Sequence, residues 1–239
     1  MSEDKPRGKL VLIPTTLGNN EPLEVLPISI KRAIEDIDYY IVENEKTARR
    51  FIKKISPRKS QPNLHIETLN KYTEAASLPG FLRPCLEGFD VGILSEAGCP
   101  AIADPGSEVV KLAHEKRIRV VPLVGPSSIV LALMASGFNG QSFAFNGYLP
   151  IDSVERRKAI KKMERHSIEQ QQSQLCIETP YRNDKLLADM LKSLAPGTQI
   201  CIACDITLNT EYIATKTVSD WKKEVPELHK RPAIFIIQG

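Results

Sequence analysis

The fold prediction starts from residues 91–106, VGILSEAGCPAIADPG. The apolar run Val91–Leu94 has the length and composition of a buried strand. A loop of small residues with the carboxylates Glu96 and Asp104 follows, and residues 107–116 have the apolar spacing of a helix. Open α/β sheets bind ligands where a strand ends in such a loop, because small residues let a ligand reach the backbone N–H groups. The stretch therefore indicates a ligand site, although an ordinary tight strand–helix connection explains it as well.

Strand-like and helix-like runs alternate through the first half of the chain. This alternation is typical of a parallel sheet flanked by helices, in which every strand ends at the same edge. Between the third and fourth strands we expect a loop and a helix interrupted near Pro79-Gly80. The expected strands are 9–13, 38–42, 64–69, 91–94 and 119–122, and the other expected helices are 27–37, 46–55, 107–116 and 128–135.

The second half mixes strand directions more than the first. The alternating run 211–218 predicts an antiparallel strand, and the polar, Gln-rich stretch 167–173 predicts a loop. The Gly-containing stretch 136–140 is the expected boundary, which gives two α/β domains, 1–137 and 138–239. The other expected strands are 143–146, 174–177, 199–204 and 233–237, and the expected helices are 152–166 and 184–194.

Composition limits the class of protein. The 239 residues are 42% apolar and 26% charged, which suits folded domains with proper cores. A net charge of +3 does not indicate a strongly basic nucleic-acid binder, so any such role must depend on local clusters. No apolar run approaches the ~20 residues of a membrane span, and the first residues lack the apolar stretch of a secretion signal. We therefore expect a cytoplasmic protein without a membrane partner.

Several familiar chemistries lack their residues. Cys201 and Cys204 form a C-x-x-C pattern inside an apolar strand-like run, which favours two core residues over a redox or metal pair. The four histidines stand in unrelated contexts, and no nucleophile elbow, P-loop or zinc-protease motif is present. We expect no metal. These absences favour a reaction that depends on placement over one that depends on acid–base groups, and transfer of a group already activated on a cofactor fits.

A series of motifs, in order, spans nearly the whole chain. The motifs are Leu12–Asn19, Glu43 with Arg49-Arg50, Leu94–Pro100 with Ala103–Gly106, Val121–Ser128, Gly147–Pro150 and Glu178–Arg182. The series resembles the tetrapyrrole-methylase superfamily of S-adenosylmethionine-dependent methyltransferases, and within it the branch that methylates a cytidine 2′-hydroxyl of 16S ribosomal RNA. Glu96 stands where the family usually has Asp.

The resemblance implies a two-domain fold with a mostly parallel N-terminal sheet and a mixed C-terminal sheet. It also implies a homodimer and S-adenosylmethionine held in a cleft between the domains. The cofactor-binding residues that it implies are Pro14, Leu94, Ser95, Glu96, Ala97, Gly98, Ile102, Ser127, Ser128, Ile129, Glu178, Thr179, Pro232 and Ala233.

The reaction implied is methyl transfer to an oxygen, for which alignment is the main requirement. Glu43, Glu96 and Asp104 are the candidate bases. Glu43 can equally pair with Arg49 or Arg50, and Asp104 can equally hold the start of the next helix. The substrate-binding candidates Arg49, Arg50 and Arg182 suit the phosphates of RNA or the carboxylates of a tetrapyrrole.

Two stretches depart from the ribosomal branch, Asn70–Thr73 and Lys230–Pro232. Two alternatives therefore stay open. One is a tetrapyrrole C-methyltransferase, and the other is a non-catalytic S-adenosylmethionine-binding protein that associates with the ribosome.

Overall fold

The computed structural model describes residues 6–239 and divides into two compact units between Ser127 and Ser128. The predicted boundary at residue 137 falls later than this division. The reason is the helix Ser128–Ser136, which packs on strands of the second sheet and so belongs with the second unit.

The first unit contains a five-stranded sheet in the order β3-β2-β4-β1-β5. All of its strand pairs are parallel, as the alternating pattern predicts. Strand β4 is buried along its whole length because it lies between β1 and β2. The strands are β1 Lys9–Ile13, β2 Tyr39–Val42, β3 His65–Thr68, β4 Val91–Leu94 and β5 Arg119–Pro122.

Helices cover this sheet over two separate apolar cores. One core contains Ile30 and Ile34 of α2 with Ile52 of α3, and the other contains Val109 and Ala113 of α6. The helices are α1 Pro22–Val25, α2 Ile28–Asp36, α3 Glu45–Ile55, α4 Leu78–Phe81, α5 Arg83–Leu86 and α6 Gly106–Glu115, with a 3-10 turn at Ala75–Ser77.

The second unit contains a mixed sheet in the order β6-β7-β10-β8-β9. Strands β6 and β7 are parallel, whereas the β7–β10, β10–β8 and β8–β9 pairs are antiparallel. The predicted antiparallel direction of β9 is therefore confirmed. The elements are α7 Ser128–Ser136, β6 Phe143–Tyr148, α8 Ser153–Gln170, β7 Ser173–Ile177, α9 Asn183–Ser193, β8 Gln199–Cys204, β9 Tyr212–Thr217, α10 Val218–Trp221 and β10 Ala233–Gln238.

One local prediction is wrong. The predicted loop 167–173 is the end of α8 and the start of β7, because Ser167 is buried and its Oγ accepts the N–H of Gly239 at 3.0 Å. Gln and Glu also favour a helix when their side chains face solvent. The helix predicted to be interrupted near Pro79-Gly80 is interrupted at Leu82, between α4 and α5, since proline is tolerated in the first turn of α4.

The two cysteines of the C-x-x-C pattern lie in β8 and are fully buried. Burial raises the pKa of the Cys201 thiol, and it raises that of Cys204 to about 11. Both behave as core residues, as the apolar run predicts. Within residues 6–239, no helix is both long and apolar enough to cross a membrane.

Candidate active site

The carboxyl ends of the parallel strands bring several predicted site loops to one edge of the first unit. The loop after β1 is bound to the loop after β4, because Thr15 N donates to Gly98 O at 2.9 Å. The Thr15 hydroxyl also lies 3.3 Å from Ser95 O, and both side chains are buried. These contacts fix Pro14 and the Ser95–Gly98 segment in one arrangement.

The β4 loop holds its own turn closed. Ser95 Oγ donates to Gly98 O at 2.8 Å, and Gly98 has a φ of +74°. A Cβ at Gly98 would lie 3.0 Å from Leu17 Cδ2 and 3.2 Å from Pro126 O. Only glycine therefore suits this position, where three loops approach one another.

The loop after β5 packs against the same group. A Cβ at Gly125 would lie 2.2 Å from Pro14 Cβ, so the backbone of Gly125 packs directly on the ring of Pro14. Cys99 Sγ lies 3.4 Å from Pro126 O. The loops after β1, β4 and β5 thus form one packed surface around residues predicted to hold the cofactor.

Asp104 fixes the second half of the β4 loop. Its Oδ1 accepts the N–H groups of Ala101 at 2.9 Å and of Gly106, the first residue of α6, at 2.7 Å. Ala101 and Ala103 have φ values of 65° and 61°, a strained conformation for residues other than glycine. Burial raises the pKa of the Asp104 carboxyl. The structure confirms the structural role considered for Asp104, because its carboxylate binds the start of α6.

Glu43 and Glu96 meet at the ends of β2 and β4. The backbone N–H of Glu96 donates to Glu43 Oε1 at 3.3 Å. Burial, together with the charges of Asp104 and Glu96, raises the pKa of Glu43, although the N–H contact opposes this. Glu96 Oε1 lies 2.6 Å from the hydroxyl of Thr47 on α3, which also lies 3.0 Å from Asn44 O. Two of the three predicted carboxylates are therefore in direct contact through the backbone of Glu96.

The predicted arginines on α3 have different surroundings. Arg49 Nε pairs with Glu45 Oε1 at 2.8 Å, and Arg49 Nη1 donates to Gln61 O at 2.7 Å. The alternative that Glu43 pairs with Arg49 or Arg50 is therefore wrong, because Glu45 lies one helical turn before Arg49. Within the described part of the chain, Arg50 makes no hydrogen bond or ion pair.

A cavity of about 360 Å³ lies beside these residues, inside the first unit. Residues 15–20 form one wall, α3 forms the opposite wall through Thr47, Arg50 and Phe51, and Ser95 and Glu96 lie at its base. The sequence analysis did not single out Thr47. Its position three residues after the N-cap Asn44 carries no signal that it would contact a loop 49 residues away.

In the second unit, the residues predicted to bind the cofactor or the substrate lie at one edge of the sheet. Strand β10 starts at Ala233 beside the end of β7 at Ile177, since the two are antiparallel. Glu178 is buried, and its Oε1 accepts from Arg182 Nη2 at 2.6 Å and from Thr179 N at 2.7 Å. Pro232 O accepts the N–H of Asp205, at the end of β8.

Arg182 is only partly free for a substrate. Its guanidinium already pairs with Glu178, while its Nε is buried without a hydrogen-bond partner among the described residues.

The remaining predicted residues lie at or near the ends of elements. Leu94 ends β4, Ile102 is exposed in the following loop, Ser127 ends the first unit, and Ser128 and Ile129 begin α7. Among residues 6–239, no cluster of three His, Cys, Asp or Glu side chains could hold a metal ion.

Comparison of the sequence with known proteins identifies relatives along the whole chain. They include proteins named ribosomal RNA small subunit methyltransferase I from several bacteria. The chain is 27% identical to that of Escherichia coli O157:H7 over 241 residues, covering 100% of this chain and 80% of the relative. It is 26% identical to that of Vibrio cholerae, covering 100% and 81%, and 29% identical to that of Neisseria meningitidis serogroup B, covering 89% and 69%. No family profile matches the chain.

Solved structures with the same fold are tetrapyrrole methyltransferases. The methyltransferase CobJ superposes with a TM-score of 0.65 at 15% identity, covering 97% of this chain and 94% of that one. The uroporphyrin-III C-methyltransferase of Thermus thermophilus gives 0.56 at 17% identity, covering 97% and 92%. The resemblance predicted from the motifs is therefore confirmed: this chain has the fold of the tetrapyrrole methyltransferases, and its sequence relatives are small-subunit ribosomal RNA methyltransferases.

Proposed function

We propose that this protein is an S-adenosylmethionine-dependent methyltransferase that modifies the 2′-hydroxyl of a cytidine in 16S ribosomal RNA. The observation that carries the proposal is the packed group of loops at the carboxyl edge of the first sheet. Relatives named for small-subunit ribosomal RNA methylation match the chain over nearly its whole length, which supports the choice of RNA.

The residues at this edge suit the cofactor. The backbone N–H groups of Ala97 and Gly98 donate to no group within residues 6–239, so they are available to polar atoms of a ligand. The absence of a side chain at Gly98 lets the loops after β1 and β5 pack against this backbone and hold it in place. Glu43, Glu96 and Asp104 place negative charge nearby, which favours a cationic sulfonium. These residues, with Ser95, would hold the cofactor.

When bound, the cofactor supplies a methyl group on a positively charged sulfur that departs as a neutral thioether. The acceptor oxygen forms the new bond to the methyl carbon and must lose its proton. We assign that proton to Glu43, because its raised pKa makes it a stronger base than an ordinary carboxylate. Its Oε1 accepts from Glu96 N, and no described residue donates to its Oε2. Asp104 suits the role less, since backbone N–H groups already occupy its carboxylate.

Calorimetric titration with S-adenosylmethionine and with its demethylated product tests the cofactor. We expect the native chain to bind at micromolar concentration and Glu96→Arg to lose this binding. The substitution puts a longer, positively charged side chain in place of a carboxylate in the β4 loop. Transfer of a labelled methyl group onto small ribosomal subunits that lack the modification tests the substrate. Absence of binding to either ligand would refute the proposal.

A tetrapyrrole C-methyltransferase is the second candidate, because the structural neighbours are enzymes of that kind. An absorbance change on mixing with a reduced tetrapyrrole and S-adenosylmethionine would favour it. Salt-sensitive RNA binding without methyl transfer would instead favour a non-catalytic ribosome-associated protein.

We also propose that two copies associate through α7. The sequence of this helix, SIVLALMAS, is almost entirely apolar, and Ala132 and Leu133 are buried in the second unit. Met134, however, is 73% exposed and Val130 is 48% exposed. An apolar face left exposed on such a helix suits a contact with a second copy. A cytoplasmic location remains a prediction from the sequence.

A further inference from the structure

The cavity beside α3 shares Ser95 and Glu96 with the group assigned to the cofactor, but its other lining residues and the charges along α3 have no role in the reaction described above. The cavity volume of about 360 Å³ falls within the range of about 300–1,000 Å³ that small-molecule sites occupy. Its lining is rich in hydroxyl and amide groups from residues 15–20, and Phe51 adds one aromatic ring. Hydrogen-bonding groups with an aromatic wall are what an unstacked nucleotide requires.

The wall opposite α3 is fixed in place. Lys54 Nζ donates to Asn20 O at 2.8 Å and pairs with Glu21 Oε1 at 3.1 Å. Thr47 of the same helix contacts Glu96 at the base of the cavity. The cavity is therefore held by contacts from both ends of α3, so it exists before any ligand binds.

From the cavity wall outward, α3 carries a row of unpaired cations that starts from the lining residue Arg50. Lys46, Arg50 and Lys53 are exposed, and within the described residues their side chains make no ion pair, whereas Arg49 and Lys54 are neutralised by Glu45 and Glu21. Positions 46, 50 and 53 recur at i, i+4 and i+7 and so share one face. The row is about 10 Å long, enough to contact the phosphates of two or three successive nucleotides.

We propose that the α3 cavity binds one nucleotide of the RNA substrate, turned out of its strand, while Lys46, Arg50 and Lys53 hold the phosphates beside it. This inference rests on the proposed function, because it names how the same edge of the first unit receives RNA. Unpaired cations bind the backbone without reading sequence, and the cavity selects a base that leaves the stack. Glu96 at the base of the cavity connects this nucleotide to the loop assigned to the cofactor.

Fluorescence anisotropy of a labelled single-stranded fragment of 16S ribosomal RNA, titrated at several salt concentrations, tests the row of cations. We expect Arg50→Glu and Lys53→Glu each to weaken binding roughly tenfold and to lower the salt slope by about 0.7 per lost phosphate contact. Lys111→Glu is the matched control, because Lys111 is exposed on α6 over the other core of the sheet and makes no ion pair with a described residue. Equal slopes in all three variants would overturn the proposal.

Substitution of Asn19, which is exposed at the cavity, tests the nucleotide site. A fluorescent cytidine analogue, placed in turn at each cytidine of the fragment, reports unstacking. We expect Asn19→Trp to abolish the unstacking signal while salt-dependent binding persists, because the indole fills the cavity but leaves the cations. An unchanged signal would exclude the cavity as the site. Calorimetric titration with S-adenosylmethionine, on the native chain and on the same variants, separates the two proposals. If the native chain does not bind S-adenosylmethionine, the proposed function itself is refuted.

Discussion

Glu43 Oε1 accepts the backbone N–H of Glu96 at 3.3 Å, which joins the ends of two neighbouring strands, β2 and β4, through a half-buried carboxylate. The contact makes the position of the β4 loop dependent on a residue 53 positions earlier in the chain. It also brings the proposed base next to the backbone proposed to hold the cofactor.

Glu43→Gln should make the protein more stable at neutral pH and less active. Burial raises the pKa of Glu43 above its ordinary value of 4.5, so the folded chain holds this proton more tightly than the unfolded chain. Its contribution to stability is therefore complete below pH 4.5 and is lost as the pH rises through the raised pKa. Glutamine keeps an acceptor for Glu96 N–H but never ionises.

Thermal unfolding of both proteins between pH 4 and pH 8 measures this effect. We expect the midpoint of Glu43→Gln to exceed that of the native chain at pH 7 and to approach it near pH 4. Methyl transfer should fall by roughly 100-fold or more, as is typical when a general base is lost. A variant with full activity would exclude Glu43 as the proton acceptor.

Asp104→Asn should destabilise the first unit. An amide oxygen in the place of Oδ1 keeps the contacts to Ala101 and Gly106, but the amide NH2 then lies where Oδ2 accepts from Ala101 N at 3.0 Å, so a donor faces a donor. This loss, together with the loss of charge on the acceptor, outweighs the relief of a buried charge, and we expect the free energy of unfolding to fall by about 1–3 kcal/mol. Urea denaturation measures it, with the exposed Asp36→Asn on α2 as the control. Equal losses in the two variants would contradict the role of Asp104 as the anchor of this loop.

Gly125→Ala should disturb the packing of the three loops. The added Cβ would lie 2.2 Å from Pro14 Cβ and 2.6 Å from its Cγ, and the proline ring cannot rotate away. Overpacking of this kind costs about 1–3 kcal/mol, and affinity for S-adenosylmethionine should fall with it. Gly197→Ala is the matched control, because a Cβ there meets nothing within 4 Å. Calorimetry that gave the same cofactor affinity for both variants would refute the prediction.

Arg156→Met should strongly destabilise the second unit. Arg156 Nη2 pairs with Asp189 Oδ2 at 2.5 Å in a buried site, and its Nη1 donates to Ile151 O at 2.7 Å. Removal of one partner of a buried pair leaves an uncompensated charge and costs about 3–5 kcal/mol. The double variant Arg156→Met/Asp189→Leu should recover most of that loss in urea denaturation. A double variant as unstable as the single one would show that the pair itself is required.

Met134→Glu should convert the proposed dimer into a monomer. Met134 is 73% exposed on α7, where a carboxylate costs nothing in a lone chain but is unfavourable inside an apolar contact. Light scattering after size exclusion measures the mass. Val225→Glu, at a comparably exposed apolar residue away from α7, should leave the mass unchanged. A native chain that already runs as a monomer would exclude the dimer.

Much of the fold could be predicted because apolar periodicity reflects burial directly. The run Val91–Leu94 is buried along its whole length, and the predicted strand 9–13 agrees with β1. The secondary-structure prediction is wrong at residues 167–173, where the polar composition predicts a loop. A helix can expose a polar face to solvent and still bury Ser167. The predicted domain boundary lies after α7, whereas the division into compact units lies before it, because a glycine-containing turn marks the end of α7 but not the sheet on which α7 packs.

The sequence by itself determined the order of the strands and helices, the loops that follow the strands and the family that the chain resembles, because each depends on residues close together in the chain. Only the tertiary structure decided that Asp104 binds the start of α6, that Arg49 pairs with Glu45 rather than Glu43, and that Thr47 meets Glu96. It also decided that α3 and residues 15–20 enclose a cavity. Such contacts depend on side-chain directions and on the distances between strand ends, and a parallel sheet fixes these only once strands distant in sequence have paired.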